Sequence, residues 1–124
     1  MSRRTLFVLA LLIFVSGVTA GLAMARFTAS GQSLQSRQLL DNPRVTVTEI
    51  TTPAGGRREP YTRPSDQIIV FIDEADYEAT DAAGQKQVRH RQPGEIVWHN
   101  KGEAAPLLVN KGKKPYRNLV IALK

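Results

Sequence analysis

The stretch "EPYTRPSDQIIVFI", residues 59–72, places a rigid polar turn directly before the most strand-like segment of the chain. Two prolines, each with a restricted backbone angle, bracket Tyr61, Thr62 and Arg63. The run "QIIVFI" that follows is rich in β-branched and aromatic residues, which predicts a buried central strand. A turn of this kind either presents its side chains to a ligand at the mouth of a barrel or sandwich, or only stiffens the connection.

The chain after Pro43 consists of short strand-like segments separated by turns rich in Gly and Pro. Its strands alternate apolar and polar residues, and "EIVWH" places Ile96 and Trp98 on one face and Val97 and His99 on the other. Regular spacing of this kind predicts an all-β barrel or sandwich of seven or eight antiparallel strands, with no helix after residue 42. The predicted strands are RVTVTEI (44–50), QIIVFI (67–72), DYEAT (76–80), KQVRHR (86–91), EIVWH (95–99), APLLVN (105–110) and YRNLVIAL (116–123).

The first 25 residues are typical of a targeting segment. A basic start is followed by residues 6–25, which contain no charged residue. A run of about 20 apolar residues also spans a bilayer as a helix, so residues 1–25 are a signal peptide or a membrane anchor, and we favour the cleaved signal. Both place the remainder outside the cytoplasm, in the periplasm if the source is a Gram-negative bacterium. Residues 26–42 are predicted to be a polar linker, with a short helix before Pro43 as the alternative.

The composition excludes several classes of function. The chain of 124 residues has no cysteine, so it offers no disulfide, no thiol nucleophile and no thiolate metal ligand. Its net charge is +6, but its basic residues do not form a stripe interleaved with aromatic ones, so we expect no nucleic-acid binding. The sequence also lacks a Gly-rich phosphate loop, a Gly-x-Ser-x-Gly elbow and a zincin helix motif.

Two stretches rich in Gly and Pro, with a strand–turn–strand unit between them, resemble the two motifs of the cupin superfamily. The first motif, in which a glycine precedes a His-x-His pair and a glutamate, begins at Gly55. The second begins at Gly94, matches again at Gly102, and meets its final Asn one place late at Asn110. The resemblance covers residues 43–124 and implies a cupin-type, RmlC-like jelly-roll β-barrel.

The resemblance also implies where a metal ion would be bound, and there the residues differ. Metal-binding cupins hold one ion inside the barrel with three histidines and a glutamate. The corresponding positions carry Tyr61, Arg63, Gln67 and Ala105. We therefore predict no metal and no cofactor, and a "PYTRP" turn that has kept its rigidity without the metal ligands.

Polar side chains near the barrel mouth are candidates to bind a small ligand or a partner. A guanidinium is a planar fork suited to carboxylate or phosphate, so the ligand would be an anion if Arg63 contacts it. In the alternative, Arg63 pairs with Asp66 or Glu59, Tyr61 packs on its neighbouring proline, and nothing is bound. The candidate ligand-binding residues are Tyr61, Arg63, Gln67, Trp98 and His99.

A cupin enzyme of the dioxygenase, isomerase or epimerase type is an alternative from a different class. A metal-dependent route needs His90 and His99, the two histidines of the chain, to converge with Glu59, Glu95 or Glu103. A metal-free route uses His99 as base and Tyr61 as acid. Both routes need His99 to face the barrel interior.

Charge is distributed unevenly along the chain. Residues 73–81, "DEADYEATD", carry five acids and no base, whereas residues 111–117 are basic. Such runs are usually solvated faces. Opposite patches also allow a third possibility, a structural or self-associating module, and since cupins are frequently dimers we expect a homodimer. Contact with a membrane is expected only through residues 6–25, if they remain uncleaved.

Overall fold

The computed structural model describes residues 33–124, and these residues form eleven β-strands and no helix. The strands make a five-stranded sheet, a four-stranded sheet and a two-stranded ribbon, all antiparallel. Their bounds are β1 (Gln35–Asp41), β2 (Val45–Thr52), β3 (Arg57–Arg58), β4 (Tyr61–Thr62), β5 (Gln67–Phe71), β6 (Ala75–Thr80), β7 (Lys86–Arg91), β8 (Ile96–His99), β9 (Ala104–Ala105), β10 (Leu107–Asn110) and β11 (Tyr116–Leu123).

The predicted all-β class is confirmed, and β5 is an interior strand between β11 and β8, as its apolar run predicts. No helix of the described residues is long and apolar enough to cross a membrane. The predicted signal peptide or anchor, residues 1–25, lies outside the described residues.

The predicted count of seven or eight strands is wrong. Three of the eleven strands, β3, β4 and β9, contain only two residues each, which is too short to show any alternation of apolar and polar residues. A fourth, β1, is formed by the polar sequence "QSRQLLD". β1 and β3 pair with the longer strands β2 and β10, whereas β4 and β9 pair only with each other. For each of the three two-residue strands, the partner is distant in sequence and leaves no local signal.

The linker predicted over residues 26–42 is also wrong at its C-terminal end, as is the alternative short helix. Residues 35–41 pair with β2 as the edge strand of the five-stranded sheet, with a register shift between Gln38 and Leu40. All seven residues of β1 are exposed, so the strand is held by backbone hydrogen bonds to β2 rather than by an apolar face. Residues 26–32 lie outside the described part of the chain.

The five-stranded sheet has the order β1-β2-β11-β5-β8, and the four-stranded sheet has the order β3-β10-β6-β7. Both sheets contribute side chains to one cavity between them. Since successive residues of a strand point to opposite faces, the register separates the residues that face the cavity from those that face outwards. Ile69 and Val97 are paired and line the cavity, whereas the flanking pair Ile68 and Trp98 points away from it.

The buried core consists mainly of aromatic rings that also form part of the cavity wall. The ring centroids of Phe71, Tyr77 and Tyr116 lie 6.1 to 6.3 Å apart. Ile69, Val97 and other aliphatic residues pack against them. The core therefore closes one part of the barrel and leaves the rest open as a cavity.

Two glycines of the second resemblance motif occupy turns that favour glycine. Gly94 connects β7 to β8 with a φ of 83°, and Gly102 follows β8 with a φ of 87°. Residues other than glycine rarely adopt such backbone angles. The amide of Gly94 donates to the carbonyl of Phe71, so this turn is bonded to the strand that carries the core.

Candidate functional site: a cationic cavity

The cavity has a volume of about 290 Å³ and is lined by residues of both main sheets and of β4. One part of its wall is apolar, with Phe71 and aliphatic side chains from several strands. All three tyrosines of the chain also line it. The charged part of the wall consists of Arg58, Arg63, Arg89 and Arg91, together with His99, and no carboxylate of the described residues lines it.

Tyr61, Arg63 and Gln67 form one hydrogen-bonded group. The Nη1 of Arg63 donates to Gln67 Oε1 at 2.9 Å and to the Tyr61 hydroxyl at 3.2 Å. The Tyr61 hydroxyl lies 3.4 Å from the same Gln67 oxygen. Gln67 is not among the cavity-lining residues, so it holds Arg63 from behind while Arg63 and Tyr61 form the wall.

Arg63 is deeply buried and has no acidic partner among the described residues. Its exposed fraction is 4%, and its Nε has no hydrogen-bond partner there. The predicted alternative, a salt bridge to Asp66 or Glu59, does not occur. Glu59 binds Arg57, and Asp66 accepts a hydrogen bond from the backbone amide of Lys101.

Arg58 is a second cavity arginine of the same kind. Its Nη2 donates to the carbonyl of Pro106 at 2.6 Å, and its buried Nε has no partner in the described part of the chain. Burial lowers the pKa of Arg58, and the charge of Arg63 lowers it further against the opposing effect of Tyr61. Both guanidinium carbons face the ring of Tyr61, at 5.3 Å for Arg58 and 5.6 Å for Arg63. The ring of Tyr61 therefore contacts two cations.

Arg89 and Arg91 complete the cationic lining, and at least one of them is neutralised. Arg91 binds Glu95 at 2.9 Å and donates to the hydroxyl of Tyr77 at 3.1 Å. Arg89 contacts the side-chain oxygen of Gln87. The uncompensated positive charge of the cavity is therefore carried by Arg58, Arg63 and Arg89, of which Arg63 is the most deeply buried.

His99 lies on the cavity face of β8, next to this charge. Its Nδ1 is 3.0 Å from Glu103 Oε2. A carboxylate can only accept, so Nδ1 carries the proton and Nε2 keeps its lone pair. Burial lowers the pKa of His99 below its usual 6.5, opposed by the bond to Glu103, and Arg63 and Arg58 lower it further. The lowered pKa favours the neutral imidazole at pH 7.

Trp98 does not belong to the site, which corrects its place among the predicted binding residues. It lies on the opposite face of β8 from His99, half exposed, and its Nε1 donates to Asn100. Alternation along β8 allows only one of the two neighbours to face the cavity. As predicted, Val97 and His99 share one face of β8, and Ile96 and Trp98 share the other.

The structure also contradicts convergence of His90 with His99. His90 lies on the outward face of β7, where its Nδ1 contacts Asp76 and its Nε2 lies 3.6 Å from Glu74. These three exposed residues bring possible ligand atoms within 4.8 Å of one another. However, both ring nitrogens are already engaged within the chain: Nδ1 donates to Asp76, and Nε2 accepts a hydrogen bond of 2.8 Å from the side-chain amide of Gln92, so no lone pair of the imidazole is left for a metal ion.

The four positions that the resemblance assigns to metal ligands are close together, but their side chains do not fit a metal. Tyr61 pairs with Ala105 across the β4–β9 ribbon, and Arg63 and Gln67 are bonded to Tyr61. Guanidinium groups repel a cation and offer it no lone pair. Among the described lining residues, His99 is the only imidazole, so the donor set of a metal-binding cupin is absent from this wall.

The sequence interpretation missed several residues of the wall, chiefly Arg58, Arg89, Arg91 and the buried pair Tyr77 and Tyr116. For β7 a signal did exist. "KQVRHR" alternates, and an inward Val88 is what a strand with an apolar core face would show. The structure instead places Arg89 and Arg91 inwards and leaves Val88 73% exposed. The strand therefore alternates, but its apolar residue faces outwards.

The fold is shared with solved structures of low sequence identity. A cupin domain from Bordetella pertussis aligns with a TM-score of 0.68 at 20% identity, over 74% of this chain and 94% of that one. The polyketide cyclase RemF from Streptomyces resistomycificus aligns at 0.59 and 22% identity, over 73% and 64% of the two chains. The DMSP lyase DddQ from Ruegeria pomeroyi aligns at 0.57 and 18%, over 73% and 47%.

The sequence matches no protein-family model and no curated protein significantly. The described part of the chain nevertheless has the cupin fold, as the motif resemblance predicted. At these identities the similarity establishes the fold and leaves the chemistry to the residues of the cavity.

Proposed function

We propose that this protein binds a small organic anion in the cavity, without a metal. One observation carries the proposal: Arg58 and Arg63 face the cavity with buried Nε groups that have no partner among the described residues, and no carboxylate there lines the wall. A buried charge without a counter-ion costs several kcal/mol by order of magnitude, and in folded proteins it is normally compensated by a pairing group. A bound anion would supply that charge.

The remainder of the wall supports an anion with an apolar body. Phe71 and the aliphatic residues around it would contact hydrocarbon or a ring, while the two arginines would hold the charged group. A guanidinium can bind a carboxylate or phosphate through two parallel hydrogen bonds. The hydrogen bonds of Arg63 to Gln67 and Tyr61 fix the fork in advance, which reduces the ordering cost of binding.

The first test uses benzoate as probe and benzamide as its neutral analogue, with binding measured by calorimetry. We expect benzoate to bind the wild type and benzamide to bind far more weakly. Arg63→Ala should weaken benzoate binding by about 10- to 100-fold, because it removes one charged hydrogen-bonding partner. Arg63→Lys should restore part of the affinity, since lysine keeps the charge but not the fork.

Arg57→Ala is the matched control, because Arg57 is an exposed arginine beside Arg58 that is already paired with Glu59. It should leave benzoate binding unchanged. Equal loss in Arg57→Ala and Arg63→Ala, or equal binding of benzoate and benzamide, would contradict an anion site in the cavity. Stoichiometric metal retained after dialysis would contradict the metal-free part of the proposal.

A second candidate is an acid–base enzyme in the same cavity, with His99 as base and Tyr61 as acid. The observation that favours it is the position of His99: it lines the cavity, Glu103 holds its Nδ1, and burial lowers its pKa, which favours the neutral, basic form. Two proteins with this fold, RemF and DddQ, are named as a cyclase and a lyase. Exchange of an acidic C–H of a bound carboxylate with deuterium, lost in His99→Gln while binding persists, would identify this activity.

Export is proposed on the sequence of residues 1–25 alone. The segment would be a signal peptide or an anchor, and the folded part would lie in the periplasm or outside the cell. Mass spectrometry of the protein from the exported fraction would give the mature N-terminus. A full-length chain in the cytoplasm would refute the proposal.

A further inference from the structure

The arginines of the cavity come from opposite edges of the four-stranded sheet. Arg58 lies on β3 and Arg89 on β7, which are the two edge strands of that sheet. The register runs from Arg58 through Leu108 and Ala79 to Gln87, which lies two residues before Arg89 and on the same face. With neighbouring strands about 4.8 Å apart, three spacings separate β3 from β7 by roughly 14 Å along the sheet. The two arginines therefore reach the cavity from opposite sides.

The contacts of each guanidinium hold it on its own side of the cavity. Arg58 donates to a backbone carbonyl beside the β4–β9 ribbon and lies over the ring of Tyr61, to which Arg63 also donates. Arg89 is held on β7, where its Nε and Nη2 lie 3.3 and 3.1 Å from Gln87 Oε1. We call Arg58 and Arg63 the ribbon end of the cavity, and Arg89 the β7 end.

A neutral side chain orients an arginine at each end. Gln67 Oε1 accepts from Arg63, and Gln87 Oε1 accepts from Arg89. An amide oxygen fixes the direction of a guanidinium without cancelling its charge, whereas a carboxylate does both. Three cavity arginines thus keep their charge, and no carboxylate of residues 33–124 lines the wall.

A ligand with one charged group can satisfy only the ribbon end. Both guanidinium carbons there lie within 5.6 Å of the centroid of the Tyr61 ring, so a single anionic group can be shared between them. Arg89 is only partly buried, so water solvates it in the free protein and its charge costs little there. It gains a charged partner only from a ligand whose second negative group reaches β7.

The wall between the two ends is apolar, and the cavity is small. Leu108, Ile69, Val97 and Phe71 line it. A volume of about 290 Å³ is at the lower limit for small-molecule sites, which favours a body of one ring or a short chain. The spacer between two charged groups would therefore be compact and hydrocarbon in character.

The geometry points to a dicarboxylate as the ligand, with one carboxylate at the ribbon end, the other at the β7 end, and an apolar body between them. This inference rests on the proposed anion site and names the chemical class of its ligand. Each carboxylate can receive two parallel hydrogen bonds from a guanidinium. A phosphate monoester carries both charges on one group, so it would leave Arg89 without a partner.

Calorimetry with terephthalate and 4-carbamoylbenzoate tests this class, since the second compound replaces one carboxylate by a neutral amide of similar size. Terephthalate should bind the wild type about 5- to 30-fold more tightly, because the second charged contact is partly exposed. Arg89→Gln should reduce this ratio below about threefold and leave the affinity for 4-carbamoylbenzoate within about threefold of wild type. Arg89→Lys should keep part of the preference, because it retains the charge but not the fork.

Lys86→Gln is the matched control. Lys86 also lies on β7 and the substitution removes the same charge, but it lies on the outward face, where it is 3.8 Å from Glu78. The control should keep the full preference for terephthalate. Circular dichroism checks that each variant retains its β-structure.

The possible failures separate this inference from the anion site itself. If Arg63-dependent binding of benzoate occurs but terephthalate is not preferred over 4-carbamoylbenzoate, the dicarboxylate is refuted and the anion site stands. A preference that survives Arg89→Gln, or that Lys86→Gln abolishes equally, would refute the β7 end. Tighter binding of phenyl phosphate than of terephthalate would place both charges at the ribbon end and refute the dicarboxylate. If benzoate and both test compounds fail to bind, the proposed function and this inference are both refuted.

Discussion

Arg57 and Arg58 are neighbours on β3 with opposite environments. Arg57 points outwards and binds Glu59, and two further exposed arginines, Arg37 and Arg117, also have carboxylate partners. Arg58 points into the cavity with Arg63, and neither has a carboxylate within 4 Å among the described residues. These three exposed arginines are thus neutralised where water would already screen their charge, whereas the two cavity arginines stay uncompensated where burial makes a charge costly. Such a pattern costs stability and is typical of a binding site.

The largest effect that distinguishes these two environments should come from Arg58→Met. Without ligand, the variant should unfold at higher urea concentration, with a free energy of unfolding higher by about 1–2 kcal/mol, because a partly buried charge without a carboxylate partner is replaced by an apolar chain of similar length. It should also lose benzoate binding. Arg57→Met, the exposed neighbour, should stay within about 0.5 kcal/mol of wild type. A clear loss of stability in Arg58→Met would mean that Arg58 is already compensated in the free protein.

A smaller effect should separate the two histidines, one in the cavity and one on the outward surface. Burial lowers the pKa of His99 below 6.5, whereas the hydrogen bond to Asp76 raises the pKa of His90 above it. The stability contribution of His90 is therefore present below pH 6.5 and is lost as the pH rises through its folded pKa. His99 acts in the opposite direction: as the pH falls below 6.5 the unfolded chain takes up the proton first, so stability decreases.

Proton NMR titration measures both pKa values directly, since the chain has only two histidines and His90→Gln assigns the signals. We expect one value on each side of 6.5. Addition of benzoate should raise the His99 value, because an anion beside Arg63 offsets the positive charge that lowers it, and should leave His90 unchanged. Two pKa values on the same side of 6.5 would contradict the expected difference between the cavity histidine and the surface histidine.

The smallest effect should come from the surface ion pair of Arg117 with Asp73. Its Nε donates at 2.9 Å and its Nη2 at 3.1 Å to the two carboxylate oxygens, but both side chains are substantially exposed. Arg117→Ala should lower the free energy of unfolding by about 0.2–1 kcal/mol, with the difference shrinking in 1 M salt. A salt-independent loss larger than that of any cavity substitution would reverse the comparison between paired and unpaired arginines.

Several features of the site followed from local sequence. The alternation in "EIVWH" placed His99 opposite Trp98, and the resemblance motifs aligned Tyr61 and Arg63 with positions inside a barrel. These inferences depend on neighbours within a few residues, where backbone geometry is decided by residue type. The rigid turn predicted from the two prolines is wrong for Tyr61 and Thr62, which form the strand β4. That Tyr61, Arg63 and His99 bind a ligand stays a prediction.

Other features were beyond such reasoning. Arg58 gave no signal, because two consecutive arginines in "GGRREP" look like a solvated turn, and only the pairing of β3 with β10 directs one of them inwards. The inward orientation of Arg89 and Arg91 is likewise set by the pairing of β7 with β6. Alternation along a strand shows which residues share a face; it does not show which face meets the interior.

By itself, the sequence determined the all-β class, most of the longer strands, the glycine turns and the loss of the cupin metal ligands, because each of these depends on residue type or short-range periodicity. Only the tertiary structure decided that the cavity is cationic, that Arg63 lacks an acidic partner in the described chain, and that the polar residues 35–41 form an edge strand. The physical reason is that the partner of a charged group, and the side of the sheet on which a side chain lies, depend on contacts between strands far apart in sequence. Those contacts form only when the barrel closes.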